Sequence, residues 1–237
     1  MEHLSTSSSG LHCGPEGCSI AAHRARKGQA AVAGGEKQIV IEMYSDFICP
    51  WCDLGAAELD DLKGKFSFEL KHLGIELFPD TPDGGAALDQ TPMGAHLPGA
   101  LKKINAIRPS LGLKLPPVIP NTRNAILAEE AAVAGGKAHE YAQAVWDAIF
   151  KDGENVSTEE AIEKIFAKIG LNPDKVMERT RDAQALAKLR EREQFARDHN
   201  RTDIPNFIVN GKYSLEGYVK ASEWAELFER ILKESAE

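Results

Sequence analysis

Gln38-Ile39-Val40-Ile41-Glu42-Met43-Tyr44 leads, a few residues on, into Cys49-Pro50-Trp51-Cys52 and then into Leu54, Ala57, Glu58, Leu59 and Leu62. The first segment is rich in β-branched and apolar residues and predicts a buried strand. The last places its residues at helical spacing, with Gly64 as a stop signal. The C-x-x-C therefore falls where a strand turns into a helix. Such a junction is expected to expose Cys49 at the positive end of a helix dipole, beside backbone N–H groups that lack partners. Both effects favour the thiolate, the reactive form of cysteine. Cys52 lies about one helical turn further on and can close a disulfide with Cys49. The arrangement predicts a redox centre.

Two blander readings compete with it. A C-x-x-C is half of a zinc site, and Cys13 and Cys18 are the two other cysteines of the chain. Zinc ribbons usually separate their pairs by ~15–20 residues. Here residues 19–48, including the expected strand, lie between Cys18 and Cys49, which disfavours a four-cysteine site. The alternative of two unreactive core thiols draws only on the general tendency of free cysteine to be buried.

Composition narrows the classes further. With 43% hydrophobic and 27% charged residues, the 237-residue chain reads as an ordinary globular protein able to bury a substantial core. A formal charge of −8, with no basic stripe, argues against a nucleic-acid partner. No apolar run approaches the ~20 residues needed to span a bilayer, so no membrane partner is expected. The seven histidines are scattered and form no metal-ligand motif. The amino terminus lacks the apolar stretch of a secretory signal, and four cysteines are too few for a disulfide-stapled scaffold. The expected location is cytoplasmic, where a C-x-x-C is more often catalytic or redox-sensing than structural.

Residues 1–37 form a separate compositional block, Ser-rich and then Ala- and Gly-rich, with few large apolar residues. Such a segment buries too little surface to offset its ordering entropy and is read as a flexible tail. It contains Cys13-Gly14-Pro15-Glu16-Gly17-Cys18, whose glycines and proline allow the thiols to approach. Cys13 and Cys18 are either an auxiliary redox pair, a metal-binding clip with His12 and His23 as further ligands, or an incidental pair.

After the first helix, Phe66 to Leu77 predicts a second strand, with Phe68, Leu70 and His72 on one face. The sequence is then mostly helical from Gly85 to about Arg181. It is interrupted by Leu115-Pro116-Pro117-Val118-Ile119-Pro120-Asn121, an extended loop. Helices are expected over Ala125–Ala134 and Ala138–Phe150, and Ser157-Thr158-Glu159-Glu160 reads as a capping box opening another. Asn172-Pro173 starts the next, and Ala183 to His199 forms a long charged helix. Pro205 to Val209 and Lys212 to Leu215 flank Asn210-Gly211, a strong hairpin signal. Ala221 to Lys233 ends the chain as an amphipathic helix. The order describes an α/β sheet interrupted by a helical insertion.

A C-x-x-C needs a partner segment that shields it and holds a substrate cysteine. Thr202-Asp203-Ile204-Pro205, immediately before the hairpin, is the candidate. A cis peptide bond before Pro205 allows Ile204 to present its backbone to an extended peptide; the alternative is a trans proline that merely starts an edge strand.

The residues Ser45-Asp46-Phe47-Ile48-Cys49-Pro50-Trp51-Cys52 and Leu54-Gly55, with Ile204-Pro205 and Phe207-Ile208-Val209-Asn210-Gly211-Lys212-Tyr213, resemble the DsbA family. Leu73-Gly74-Ile75-Glu76-Leu77-Phe78-Pro79 and Asp152-Gly153-Glu154-Asn155-Val156-Ser157 resemble its FrnE-like branch. The resemblance covers roughly residues 38–233 and implies a thioredoxin-like fold with an inserted all-helical domain. The thioredoxin-like part would comprise residues 38–84 and 184–237, and the insertion residues 85–183. It implies Cys49 as nucleophile, Cys52 as resolving thiol and Pro205 as a cis-proline. Pro50 presets the helix start. Trp51 offers an apolar plate for docking or is an ordinary half-buried aromatic. Asp46 is read as a surface acid in preference to a proton acceptor.

The expected activity is thiol–disulfide exchange with protein or small-molecule thiols, without a bound cofactor, and with glutathione or another thiol as a redox partner. The competing activities are a glutathione-dependent isomerase or transferase of the same superfamily, and a redox-sensing or metal-regulated chaperone that also uses Cys13 and Cys18. Retention of both Cys49 and Cys52 argues against the isomerase, which has no need of a resolving thiol.

Overall fold

The computed structural model describes residues 39–236, so Cys13, Cys18 and the segment over residues 1–37 lie outside the described residues. Strand β1 (Ile39–Ser45) leads into helix α1 (Pro50–Asp60) and strand β2 (Phe68–Gly74). A two-stranded ribbon, β3 (Ala86–Ala87) and β4 (Val118–Ile119), brackets helix α2 (Leu97–Ile107). Helices α3 (Arg123–Ala134), α4 (Ala138–Asp147), α5 (Glu159–Lys168), α6 (Asp174–Thr180) and α7 (Ala183–Asp198) follow. The chain closes with β5 (Asn206–Val209), β6 (Tyr213–Glu216) and α8 (Ala221–Ala236).

The main sheet has the order β2-β1-β5-β6. β1 and β2 run parallel, from Ile39 opposite Phe68 to Ser45 opposite Gly74. β5 runs antiparallel to β1, with Met43 opposite Phe207, and β6 antiparallel to β5. β1 is thus central, and its apolar residues Ile39-Val40-Ile41 and Met43-Tyr44, interrupted by the partly exposed Glu42, suit a strand covered on both faces. Ile39, Ile41 and Met43 point to one face, where Phe207 meets Trp224 of α8 with ring centroids 5.0 Å apart. Tyr44 and Ile208 point to the other, against Ala196 of α7. Gly55 lets α1 lie close to β5, because a Cβ there would stand 3.1 Å from the Phe207 ring. Asn210 and Gly211 carry φ of 51° and 64°, the backbone of a two-residue hairpin turn that favours these residue types.

The helices between β2 and β5 bury Tyr141, Trp146, Phe150 and Phe166. Phe47, two residues before Cys49, inserts among them, with ring centroids 5.9 Å from Tyr141 and 5.8 Å from Trp146. That wedge ties the strand–helix junction to the helical layer, and burial of such large rings is a dominant stabilising contribution.

Three local expectations shift. The stretch around Val118 and Ile119 pairs with Ala86 and Ala87 in place of a plain loop; two-residue strands carry no readable period. The helix beginning at Ala138 changes at Ala148 to a π-helical turn that runs to Asp152 and ends at Gly153. The helix cap is Thr158, whose hydroxyl accepts from the Ala161 amide, so the Ser157 capping box does not form. Ser157 is instead occupied by its tertiary partners, accepting from the Asn121 amide at 2.9 Å and donating to Asn155 at 2.6 Å.

Candidate active site

Cys49 occupies the N-cap of α1, with Pro50 at the first helical position and no side chain capping the helix. Pro50 suits that position because its missing N–H has no intrahelical partner to lose. The Cys49 amide donates to the Asp46 carbonyl at 3.1 Å, and the Cys52 amide donates to the Cys49 carbonyl at 3.0 Å. Both cysteines are free thiols. Cys49 is only 6% exposed and Cys52 is fully enclosed. The junction therefore does not hold Cys49 out in solvent, as the strand–helix pattern suggested.

The covering segment is the one the sequence singled out. The Ile204–Pro205 peptide bond is cis, and the Cys49 thiol points to the Ile204 carbonyl oxygen at 3.8 Å across 155 residues of chain. Pro205 in turn accepts from the Gly217 amide at 2.8 Å, which draws the loop after β6 to the same place. Cys49, Cys52, Pro50, Ile204 and Pro205 thus converge on one end of the sheet. Trp51 is half-buried beside them, its ring 6.1 Å from that of Tyr218.

The two sulfurs differ in setting. Burial pushes the Cys52 thiol well above its ordinary range, and its hydrogen bond to Cys49 pushes the same way. Cys52 is therefore held as a thiol at neutral pH. Cys49 stands at the N-terminal, positive end of the α1 dipole.

Asp46 corrects a sequence expectation. It is 2% exposed and not a surface acid. Its carboxylate accepts from the Leu77 amide at 2.7 Å and the Ile48 amide at 3.3 Å, with Thr122 as a further partner. Burial raises its pKa to about 6 against those hydrogen bonds, and its charge reaches Cys52. The bond to Ile48, two residues on, is the Asx turn that Asp favours between a strand and a helix, so a local signal existed.

Asp53, directly after Cys52, was not singled out by its sequence. Burial raises it to about 7, opposed by Lys151, and its Oδ2 has no hydrogen-bond partner among the described residues. Residues from Cys52 to Leu59 are all buried, so α1 has no polar face in that stretch from which its position could be read. Tyr218 and Glu58 are further neighbours of the junction that single-residue patterns do not reveal.

A parallel β–α–β start and an antiparallel hairpin with a final helix define a thioredoxin-like fold, with a dithiol facing a cis-proline at one end of its sheet. A family model described as a DSBA-like thioredoxin domain matches residues 40–231, and the chain belongs to that family. The chain is similar to the YwbO protein of Bacillus subtilis, 27% identical over 137 residues, covering 56% of this chain and 66% of that one. Among solved structures it resembles one described as a probable DsbA oxidoreductase of Streptomyces coelicolor, with a TM-score of 0.68 and 22% identity over 83% of this chain and 89% of that one. A 2-hydroxychromene-2-carboxylate isomerase superposes with a TM-score of 0.66 at 16% identity, covering 83% and 98% of the two chains. The cytosolic disulfide reductase DsbM of Pseudomonas aeruginosa, solved with GSH, superposes with a TM-score of 0.61 at 12% identity, covering 82% and 99%. At these identities the structural likeness speaks to the fold.

Proposed function

We propose that the chain is a thiol–disulfide oxidoreductase in which Cys49 is the attacked and attacking sulfur and Cys52 the resolving thiol. The observation that carries this is the Cys49 thiol at 3.8 Å from the Ile204 carbonyl, ahead of a cis-proline, with Cys52 enclosed beside it. The segment that receives the thiol is also placed to receive the backbone of a substrate.

In the oxidising direction a substrate thiolate attacks the Cys49 sulfur of the Cys49–Cys52 disulfide. The S–S bond breaks, its electron pair passes to Cys52, and Cys52 takes up a proton. A second substrate thiolate then attacks the substrate sulfur of the mixed disulfide and releases Cys49. The substrate leaves as a disulfide and the enzyme keeps two electrons as two thiols. The reverse sequence reduces a disulfide, and Cys52 must then lose its proton to resolve the intermediate. Asp46, buried beside it and raised to about 6, is the carboxylate we assign to that proton. Stabilising the Cys49 thiolate makes it a better leaving group and favours oxidation of the substrate. Substrates are protein or small-molecule thiols and disulfides, with glutathione or a similar cytoplasmic thiol closing the cycle. An isomerase that binds glutathione as a cofactor has no use for a resolving thiol, and the adjacent Cys52 favours exchange.

The test is turnover of dithiothreitol and of insulin disulfides. Cys49→Ser is expected to abolish both. Cys52→Ser is expected to accumulate a reductant-sensitive mixed disulfide at Cys49, visible by intact-mass spectrometry. Retained turnover in Cys49→Ser overturns the assignment.

A further inference from the structure

We propose that Arg201 is a positioning residue that fastens the loop ahead of the cis-proline to the end of β1, and so fixes the Ile204 carbonyl where a polypeptide substrate meets Cys49. The proposal rests on the thiol–disulfide reading and names the device that holds its receiving segment in place.

The fastening begins as a helix ending. Asn200 has a φ of 54°, the left-handed backbone that stops α7. The Arg201 amide donates to the Ala196 carbonyl at 2.8 Å, and the Asn200 amide donates to the Arg197 carbonyl at 3.2 Å. These two bonds form a Schellman motif, which satisfies carbonyls that a helix end otherwise leaves without partners. The Arg201 side chain folds back over Phe195, its guanidinium carbon 5.0 Å from the ring centroid. His199 stacks on that same ring, with centroids 3.9 Å apart.

A helix ending alone needs no arginine. The same guanidinium lies 5.3 Å from the Tyr44 ring centroid, and its Nη1 donates to the Tyr44 hydroxyl at 2.9 Å. Arg201 thus joins α7 to β1 through two ring contacts and a hydrogen bond, which orient a planar guanidinium in a way that a lysine ammonium cannot reproduce. Tyr44 stands five residues before Cys49, and Arg201 three before Ile204. Ile204 packs against the cluster of Tyr44, Ile75, Ala196 and Ile208, so it grips the two residues that Arg201 also holds. Sheet pairing holds the far end of the loop, with Asn206 opposite Tyr44. Residues 202–205 are therefore strung between two fixings on one tyrosine, and the Ile204 carbonyl between them meets the Cys49 thiol at 3.8 Å. Release of the Arg201 end frees that carbonyl to shift while the β1–β5 pairing persists.

The experiment follows two substrates of the oxidised full-length enzyme. One is a peptide containing Cys-Gly-Gly-Cys, which can use backbone contacts at Ile204; the other is dithiothreitol, which has no backbone. The readout is the kcat/KM of the peptide divided by that of dithiothreitol. Arg201→Ala is expected to lower this ratio about fivefold to tenfold, mainly through a higher peptide KM, the scale of one lost cation–π contact and one lost hydrogen bond. A purely structural role would lower both rates alike and leave the ratio unchanged. Arg201→Lys keeps the charge and the stem but not the planar fork, and is expected to lower the ratio by about threefold. It decides the matter if Arg201→Ala does not fold. Tyr44→Phe keeps the ring and loses the acceptor, so it should lower the ratio in the wild type and have no further effect beside Arg201→Ala. An unchanged ratio in the Arg201 variants, or a Tyr44→Phe effect that persists undiminished without Arg201, overturns the fastening while leaving thiol–disulfide exchange intact. Failure of the wild type to oxidise dithiothreitol overturns the underlying activity, and the fastening with it.

Discussion

Asp46 shows how one buried carboxyl couples chemistry to stability. Unfolded, it titrates near ~3.9, whereas burial raises it to about 6 in the fold. A raised carboxyl favours the folded state fully below its unfolded value, and that contribution is lost as pH rises through about 6. Asp46→Asn removes this dependence. Its stability relative to wild type, followed by urea unfolding, is expected to improve by about 2 kcal/mol between pH 4 and pH 7. The slope is the readout, because Asn also changes the hydrogen bonds to Leu77 and Ile48. Cys49, Cys52, Ile204 and Pro205 were legible because two punctuating motifs flank well-patterned elements. The burial of Asp46 was not, because a carboxylate accepting backbone amides from a distant segment looks, in sequence, like any loop acid.

At the level of elements, the start of α5 separates local pattern from tertiary demand. Ser157-Thr158-Glu159-Glu160 offers two hydroxyls one residue apart, and propensity alone cannot choose between them. The fold chooses Thr158 as cap because Ser157 is needed by Asn121 and Asn155. Thr158→Ala is expected to cost about 1 kcal/mol, as the loss of an ordinary cap. Ser157→Ala strands a buried Asn121 amide and is expected to cost more, in the range of about 1–3 kcal/mol. Urea midpoints of the two variants decide the order. The major helices and strands were readable from period and punctuation. The β3–β4 ribbon and the π-helical turn were not, since each is specified by neighbours and not by its own few residues.

Across the molecule, buried ionic groups join the helices to the sheet. Glu76, just beyond β2, pairs with Arg190 of α7 at 2.6 Å and with Arg123 of α3 at 3.2 Å. Glu129 of α3 is buried with Oε1 unpartnered among the described residues, and burial raises it to about 7 against the pull of Arg192. Its contribution to folding is therefore present below ~4.3 and lost as pH rises through about 7. Glu129→Gln is expected to match wild type in its pH trend below pH 4 and to gain about 3 kcal/mol relative to it by pH 8, measured by urea unfolding. His72 has the opposite sign. Burial, with His139 nearby, lowers it to about 4, so its contribution is present above ~6.5 and lost as pH falls through about 4. The order of strands and helices along the chain was within reach of the sequence, but these connectors were not, because partners such as Glu76 with Arg123 and Arg190, 47 and 114 residues away, leave no local spacing.

The 155 residues between Cys49 and Ile204 also set a timetable for synthesis. A ribosome adding ~5–20 residues per second needs on the order of 8–30 s to pass from one to the other. Throughout that interval the nascent chain carries both thiols, while the edge of β1 that β5 will seal stands open. Translation halted upstream of Ile204 leaves a dithiol with neither the carbonyl that receives it nor the strand that closes the sheet beside it.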